Sequence, residues 1–181
     1  MKRISAIALF VLAGCQSAPV SEGPVVADTG SQAAETNDPR NRARIRTELA
    51  ALYYGRGNMG VALEELRLAA QADPNYGPVY SMFGLVYLQL KETALAQQNF
   101  ERALRLSPTD PDINHNFGWF MCQTGRESES IRYFLQAVRN PLYSQPWKSY
   151  AAAGQCALSK DNLKDAQIYF ESALKLEPDE P

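Results

Sequence analysis

Apolar residues recur along this chain at the spacing that places them on one side of a helix. Within residues 77–108 they lie three and four positions apart in two runs, separated by a polar break near residues 91–93. The first run contains Tyr80, Phe83, Gly84 and Tyr87, and the second contains Ala96, Phe100, Ala103 and Leu104. Each run has a single apolar face, so the pattern predicts an antiparallel helix pair that needs neighbouring elements to cover it. Gly84 and Ala96 mark the predicted close crossing, and Pro108 ends the second helix because it lacks an N–H.

The same pattern recurs at a nearly constant interval. Pro74 and Pro108 are 34 residues apart, and two further copies follow, the last displaced by 36 residues through an insertion within residues 140–146. The second-helix positions of the four copies are Ala62, Leu66 and Ala69; Ala96, Phe100 and Ala103; Ser130, Phe134 and Ala137; and Ala166, Phe170 and Ala173. This period and this alternation of small and large residues resemble the tetratricopeptide repeat.

The resemblance implies an all-α fold, a right-handed superhelical solenoid of four helix pairs within residues 39–181. The repeats are expected at about 43–76, 77–110, 111–146 and 147–181. The chain stops soon after the fourth pair without a polar capping helix. Since solenoids need covered ends, we expect either a shortened form or another surface over that end.

The N-terminal segment is typical of a secretory signal rather than of the fold. Lys2 and Arg3 precede an apolar run from Ile4 to Leu12, which is too short to cross a bilayer core of about 30 Å as a helix. The run ends in Leu-Ala-Gly before Cys15, which resembles the lipobox of bacterial lipoproteins. That resemblance implies a signal peptide over residues 1–14 and lipid attachment at Cys15. The alternative is an ordinary signal peptide with an incidental cysteine.

A low-complexity segment separates the predicted lipid anchor from the solenoid. Together with Cys15 it forms a predicted flexible, lipidated tether over residues 15–38, since it lacks aromatic residues and cannot bury a core. The residue after Cys15 is Gln16, which by resemblance to Gram-negative lipoproteins implies an outer-membrane location facing the periplasm. Loss of residues 1–14 would remove two of the 18 basic residues and leave the 20 acidic residues in excess. This balance argues against nucleic-acid binding.

Four arginines open the first predicted helix, at positions 40, 42, 44 and 46. Cations at a helix N-terminus oppose the helix dipole, so this placement needs an explanation. One is an offset by anionic lipid headgroups or by an acidic partner. The other is a solvated basic face supported by Glu48.

A narrower resemblance comes from the third repeat. It carries Asn-Phe-Gly-Trp-Phe from Asn116 to Phe120, a cysteine three residues after Trp119, and an Asn-Pro-x-Tyr insertion at residues 140–143. Together with the lipoprotein start, these features resemble the type IV pilus biogenesis lipoproteins of the PilW and PilF group. That resemblance implies a pilotin and stability factor that helps the outer-membrane secretin assemble.

The sequence offers no recognised enzyme signature. His115 is the single histidine, so a site with several histidine ligands cannot form, and no phosphate-binding glycine loop is present. We therefore expect no catalytic residue, no cofactor and no metal. The enzyme alternative is a redox or hydrolytic protein that uses Cys122.

Cys122 and Cys156 lie on the first helices of adjacent predicted repeats, which pack side by side in this fold. With Cys15 used by lipid, an oxidising periplasm favours a disulfide between them. The other interpretation is two buried free thiols that pack as small apolar side chains.

The predicted binding surface is the concave face, which the first helix of each repeat lines. Its predicted groove residues are Tyr54, Leu85, Leu88, His115, Trp119, Gln155 and Leu158. Trp119 is either a binding anchor, since tryptophan is frequent among hot-spot residues, or filler between neighbouring helices. His115 is expected to be a polar groove residue without a ligand.

These observations predict a non-enzymatic, lipid-anchored outer-membrane protein that binds protein partners. By the resemblance the partner is the pilus secretin, and the oligomeric state stays open. The alternative within binding proteins is a lipoprotein scaffold for another cell-envelope complex.

Overall fold

The computed structural model describes residues 38–177, which form eight α-helices joined by short turns. No β-strand occurs in this range. The helices are α1 (Pro39–Gly55), α2 (Met59–Ala72), α3 (Gly77–Gln89), α4 (Thr93–Leu106), α5 (Pro111–Gln123), α6 (Glu127–Val138), α7 (Pro146–Leu158) and α8 (Leu163–Leu176). The predicted signal peptide, the tether up to residue 37 and Cys15 lie outside the described residues.

The helices pack as four antiparallel pairs stacked in chain order. Each first helix (α1, α3, α5, α7) contacts its own second helix most extensively, and it also contacts the next first helix. Each second helix that precedes another repeat contacts the first helix of that repeat. The predicted all-α solenoid of four helix pairs is therefore confirmed. We call the first helices the inner layer and the second helices the outer layer.

Helix ends follow from local chemistry. The Asp38 carboxylate accepts a hydrogen bond from the Asn41 backbone N–H, and the Asp110 carboxylate accepts one from Ile113. A proline opens α1, α5 and α7, where its missing N–H leaves no intrahelical bond unmade. The break predicted near residues 91–93 and the end of α4 before Pro108 are both found.

A glycine in three inner helices makes room for a phenylalanine of the paired outer helix. A Cβ atom built on Gly84 would lie 2.7 Å from the ring of Phe100. The same arrangement recurs at Gly118 with Phe134, at 2.9 Å, and at Gly154 with Phe170, at 2.8 Å. The first repeat has Ala50 and Leu66 at the equivalent positions, both fully buried. Where the inner residue is alanine instead of glycine, the outer residue is thus leucine instead of phenylalanine.

Side chains of the inner layer close the turns between repeats. The Tyr80 hydroxyl donates to the Pro74 carbonyl at 2.9 Å, and the Asn114 amide donates to the Pro108 carbonyl at 2.9 Å. The two side chains are 34 residues apart, as are the two prolines. In the last junction the insertion takes over this role: Tyr143 is buried there, and its hydroxyl lies 3.2 Å from the Ser149 Oγ.

Arg40, Arg44 and Arg46 have acidic partners within the fold. Arg44 pairs with Glu48 at 2.6 Å and Arg46 pairs with Glu65 of α2 at 2.7 Å. Arg40 lies 3.6 Å from Asp73. These contacts favour the interpretation of a solvated basic face, because intramolecular carboxylates offset the unfavourable helix-dipole interaction.

None of the helices in the described part of the chain is both long enough and apolar enough to cross a bilayer.

Candidate functional site

The C-terminal ends of three inner helices enclose an open cleft of about 470 Å³, which we call the aromatic cleft. It is lined by Tyr54, Leu88, Gln89, Lys91, Thr93, Trp119, Gln123 and Thr124. Three of the predicted groove residues, Tyr54, Leu88 and Trp119, therefore meet at one surface depression.

Repeat geometry brings these side chains together. Tyr54 and Leu88 occupy the same position of successive inner helices, 34 residues apart, so stacking of the repeats sets them side by side. The third equivalent position is Cys122, and Trp119, about one turn earlier on α5, completes the cleft instead. Tyr54 is half-buried, and this desolvation raises the pKa of its phenol, so the hydroxyl stays protonated at neutral pH.

Trp119 also packs into the fold. One side of it contacts the core cluster formed by Phe134, Ala152, Ala153 and Cys156. The side chain is half-buried, so it both supports the junction with the fourth repeat and lines the aromatic cleft. The anchor and filler interpretations of this residue are thus compatible.

A second depression lies at the N-terminal ends of α3 and α5 and has a volume of about 310 Å³. It is lined by Thr47, Tyr76, Pro78, Ser81, Met82, Asp110, Asp112, Ile113 and Asn116. The Asn116 amide donates to the Ser81 Oγ at 3.1 Å. Burial raises the pKa of Asp112, and the neighbouring Asp110 carboxylate raises it further. Neither aspartate could be predicted as part of a depression from the sequence, because their position at the start of α5 is equally typical of helix capping.

The remaining predicted groove residues lie elsewhere. Leu85 is half-buried and packs against two core clusters, one mainly of the first and second repeats and one of the second and third. Gln155 and Leu158 are exposed on α7, and neither lines the aromatic cleft. The aromatic cleft is formed by the first three repeats, so these two residues of the fourth repeat lie outside it.

His115 is part of a hydrogen-bonded network instead of the cleft. Its Nδ1 lies 2.9 Å from the Oγ of Ser149, which is fully buried and in turn contacts the Tyr143 hydroxyl. Its ring packs against Phe134, with ring centroids 5.6 Å apart. Burial, and to a smaller extent the nearby Lys148 ammonium, lowers the pKa of His115 from 6.5 to about 4. The imidazole is therefore neutral at neutral pH and joins α5 to α7.

Cys122 and Cys156 are joined by a disulfide, with their Cα atoms 5.8 Å apart. The bond also links α5 to α7, two helical turns from His115 on α5. These two inner helices share fewer contacts than the earlier inner-layer neighbours do, while α6 packs more extensively on α7. The disulfide and the His115–Ser149 hydrogen bond thus fasten the least extensive junction of the inner layer.

The described residues contain no group of three or more histidine, cysteine, aspartate or glutamate side chains placed to hold a metal ion. With Cys122 bonded to Cys156, neither sulfur is a free thiol in this structure. The arrangement suits the binding of a protein segment, since apolar and aromatic side chains line an open cleft beside polar amides.

Comparison with known proteins agrees with this geometry. A family model for the tetratricopeptide repeat matches residues 77–110 and 148–180. The type IV pilus assembly protein PilF of Pseudomonas aeruginosa is 26% identical over 148 residues, which are 81% of this chain and 59% of that protein. The chain thus spans about three fifths of the length of this relative.

Two solved structures have similar folds. The crystal structure of PilW, a widely conserved type IV pilus biogenesis factor, is 29% identical with a TM-score of 0.70 and covers 75% of this chain and 62% of its own. The structure of Pseudomonas aeruginosa PilF has a TM-score of 0.74 at 24% identity, over 79% of this chain and 64% of its own.

Proposed function

Because this chain is a tetratricopeptide-repeat protein of the PilW and PilF type, we propose that it binds protein partners in its inner layer and thereby promotes type IV pilus biogenesis. The observation that carries this proposal is the aromatic cleft, in which side chains from three successive repeats form one surface. The partner proposed from the family resemblance is the outer-membrane secretin. The protein acts by holding this partner and takes no part in covalent chemistry.

The proposed location is the periplasmic side of the outer membrane. The Leu-Ala-Gly-Cys sequence that ends at Cys15 supports it, as does the low-complexity segment that follows. A lipid anchor would confine the solenoid near a membrane-embedded partner and raise the effective concentration of that partner. Under such confinement a weak interaction in the cleft suffices for capture.

The test is co-purification of the secretin with the full chain from envelope extracts. We expect the native chain to retain the secretin and a Cys15→Ser variant to retain less, because the variant loses the anchor. Metabolic labelling with a radioactive fatty acid checks lipid attachment independently. If the native chain is labelled with lipid but does not retain the secretin, this partner is wrong, although the proposed location stands.

The alternative is a lipoprotein scaffold for another cell-envelope complex. This alternative is supported by the lining of the aromatic cleft, whose apolar, aromatic and polar side chains would suit segments of many proteins. Identification of the envelope proteins retained by the native chain separates the two functions.

An enzymatic role for Cys122 has its own test. Labelling of the folded, non-reduced protein with a thiol-reactive reagent would modify Cys122 if it were a nucleophile. We expect no modification, since its sulfur is bonded to Cys156.

A further inference from the structure

The structure points to a ligand class for the aromatic cleft. We propose that Lys91 is an anion-binding residue, and that the cleft takes a partner segment in which an aromatic or aliphatic side chain lies near an aspartate or glutamate. This inference rests on the proposed function, since it specifies what the cleft binds.

The first observation is the backbone conformation of Lys91. Its φ angle is 62°, in the left-handed region that residues with a Cβ atom rarely adopt. The same turn position in the other repeats holds Gly57 (φ 77°), Gly125 (φ 81°) and Asp161 (φ 57°). Two repeats thus use glycine, which adopts this conformation without steric cost, and one uses aspartate, which tolerates it. A lysine there is the least favourable choice of the four and needs a compensating role.

The second observation is charge. Lys91 is the one residue with a formal charge among those that line the aromatic cleft. It is exposed, and within residues 38–177 it forms no ion pair. Its ammonium is therefore available to a ligand that also contacts the apolar lining formed by Tyr54, Leu88 and Trp119. A carboxylate beside an apolar side chain complements this combination of charge and surface.

The third observation concerns backbone donors and decides which carboxylate fits. The N–H groups of Leu90, Lys91 and Glu92 all donate to carbonyls of α3, at 2.9 to 3.0 Å. Capture of a chain-terminal carboxylate typically uses several free backbone N–H groups in a nest, and at these three residues they are already used. A single side-chain ammonium matches the side chain of an internal aspartate or glutamate instead.

Affinity selection on the full chain tests the proposal. A phage library of random dodecapeptides is selected against the native protein, Lys91→Gln and Lys91→Arg. We expect the native protein and Lys91→Arg to enrich peptides with an acidic residue within a few positions of an aromatic or aliphatic one. Lys91→Gln keeps the apolar lining, so it should enrich apolar peptides without the acidic preference.

Binding constants then test the charge directly. Replacing the acidic residue of a selected peptide by its amide should weaken binding to the native protein about fivefold or more. The same replacement should change binding to Lys91→Gln by less than twofold. For the native protein, the ratio of the Kd values of the amide and acidic peptides should decrease between 0.05 and 0.5 M NaCl, since an exposed ion pair is screened by salt.

A pair of glycine substitutions separates binding from folding. Lys91→Gly and Asp161→Gly both replace a left-handed residue that has a Cβ atom. Lys91→Gly should raise Tm by about 2 to 5 °C, and Asp161→Gly should raise it by less, since aspartate tolerates this conformation. Only Lys91→Gly should lose affinity for the acidic peptides, because Asp161 does not line the aromatic cleft.

Three outcomes would overturn the inference. The first is selection of apolar peptides without acidic residues by the native protein, which leaves the proposed function intact. The second is binding of acidic peptides that is unaffected by Lys91→Gly or by Trp119→Ala. The third is no enriched peptide at all; if the secretin also fails to co-purify, the proposed function fails with the inference.

Discussion

At the scale of single residues, the inner and outer helices of each repeat are matched by size. Gly84, Gly118 and Gly154 each face a phenylalanine, whereas the first repeat combines Ala50 with Leu66. The contact is therefore filled in two ways. In three repeats the small residue is an inner glycine and the large one an outer phenylalanine, and in the first repeat an inner alanine is combined with a smaller outer leucine. This suggests that the two residues of a pair contribute to stability jointly.

The Gly84–Phe100 pair allows a direct test of this coupling. Gly84→Ala should lower the free energy of unfolding by about 1 to 3 kcal/mol, because the added methyl would overlap the Phe100 ring. Phe100→Leu should lower the free energy of unfolding less in the Gly84→Ala protein than in the native chain, and the difference should be about 1 kcal/mol or more. Urea unfolding of the four proteins measures the cycle. Gly60→Ala is the control, since nothing lies within 4 Å of its Cβ position. Strictly additive effects would contradict the coupling.

His115 predicts a dependence of stability on pH. Its pKa is about 4 in the folded protein, below the ordinary 6.5, so the unfolded chain binds the proton more readily. The neutral, buried imidazole stabilises the folded protein fully above pH 6.5, and this stabilisation is lost as the pH falls towards 4. Its size is at most about 3 kcal/mol. The free energy of unfolding, measured by urea unfolding at several pH values, should therefore decrease more from pH 7 to pH 4 for the native protein than for His115→Gln. Parallel curves would show that His115 does not titrate in this way.

The sequence was informative about the cleft only in part. Tyr54 and Leu88 could be predicted because the 34-residue period places them at one position of stacked helices. His115 belongs to the same predicted face, yet its Nδ1 lies against Ser149, whose Oγ donates to the Tyr143 hydroxyl. Tyr143 belongs to the insertion, so the repeat pattern could not predict this network. Lys91 could not be predicted as a cleft residue, because a turn residue carries no periodic signal.

At the scale of helices, most boundaries could be predicted, because the apolar period, the prolines and the turn residues agree. The predicted break near residues 91–93 separates α3 from α4, and α4 ends before Pro108 as predicted. The relative packing of α5, α6 and α7 could not be predicted in the same way. It depends on how the inserted residues fold, and there Asn140 accepts from the Leu142 N–H and donates to the Thr109 carbonyl.

The disulfide should matter most for the last repeat. Replacing Cys122 and Cys156 by serine and alanine, respectively, should lower the free energy of unfolding by about 2 to 4 kcal/mol. The loss should be local, because α5 and α7 share few other contacts. Hydrogen exchange followed by mass spectrometry should therefore speed up in α7 and α8 more than in α1 to α4. Uniform acceleration along the chain would contradict this role. Mass spectrometry of the unreduced protein checks that both thiols are absent.

At the scale of the whole molecule, the aromatic cleft belongs to the first three repeats. Its lining comes from α1, α3, the turn that contains Lys91, the start of α4, and α5 with the turn that follows it. No residue of the fourth repeat takes part. The fourth repeat instead supports Trp119 from behind through Ala152, Ala153 and Cys156. Binding and support are thus divided between the two parts of the solenoid.

This division predicts how Trp119 contributes to binding. Trp119→Ala should weaken partner binding by about 2 kcal/mol or more, as is typical of a hot-spot tryptophan. Leu88→Ala, which removes apolar lining on another helix, should weaken binding by a smaller amount. Calorimetric titration with a selected peptide measures both, and circular dichroism checks that helicity is kept. If Trp119→Ala loses structure and binding to the same extent, the residue acts only in the core.

The covalent link between α5 and α7 also limits how far the chain can be drawn out under tension. Its two cysteines are 34 residues apart in sequence but only 5.8 Å apart in space. A chain pulled from its ends cannot lengthen through that loop while the bond is intact. The contour length of the oxidised protein should therefore be about 110 Å shorter than that of the reduced protein, at about 3.3 to 3.6 Å per residue. In a tethered protein under load, the bond would therefore hold α5 and α7 close together even after the rest of the solenoid has opened.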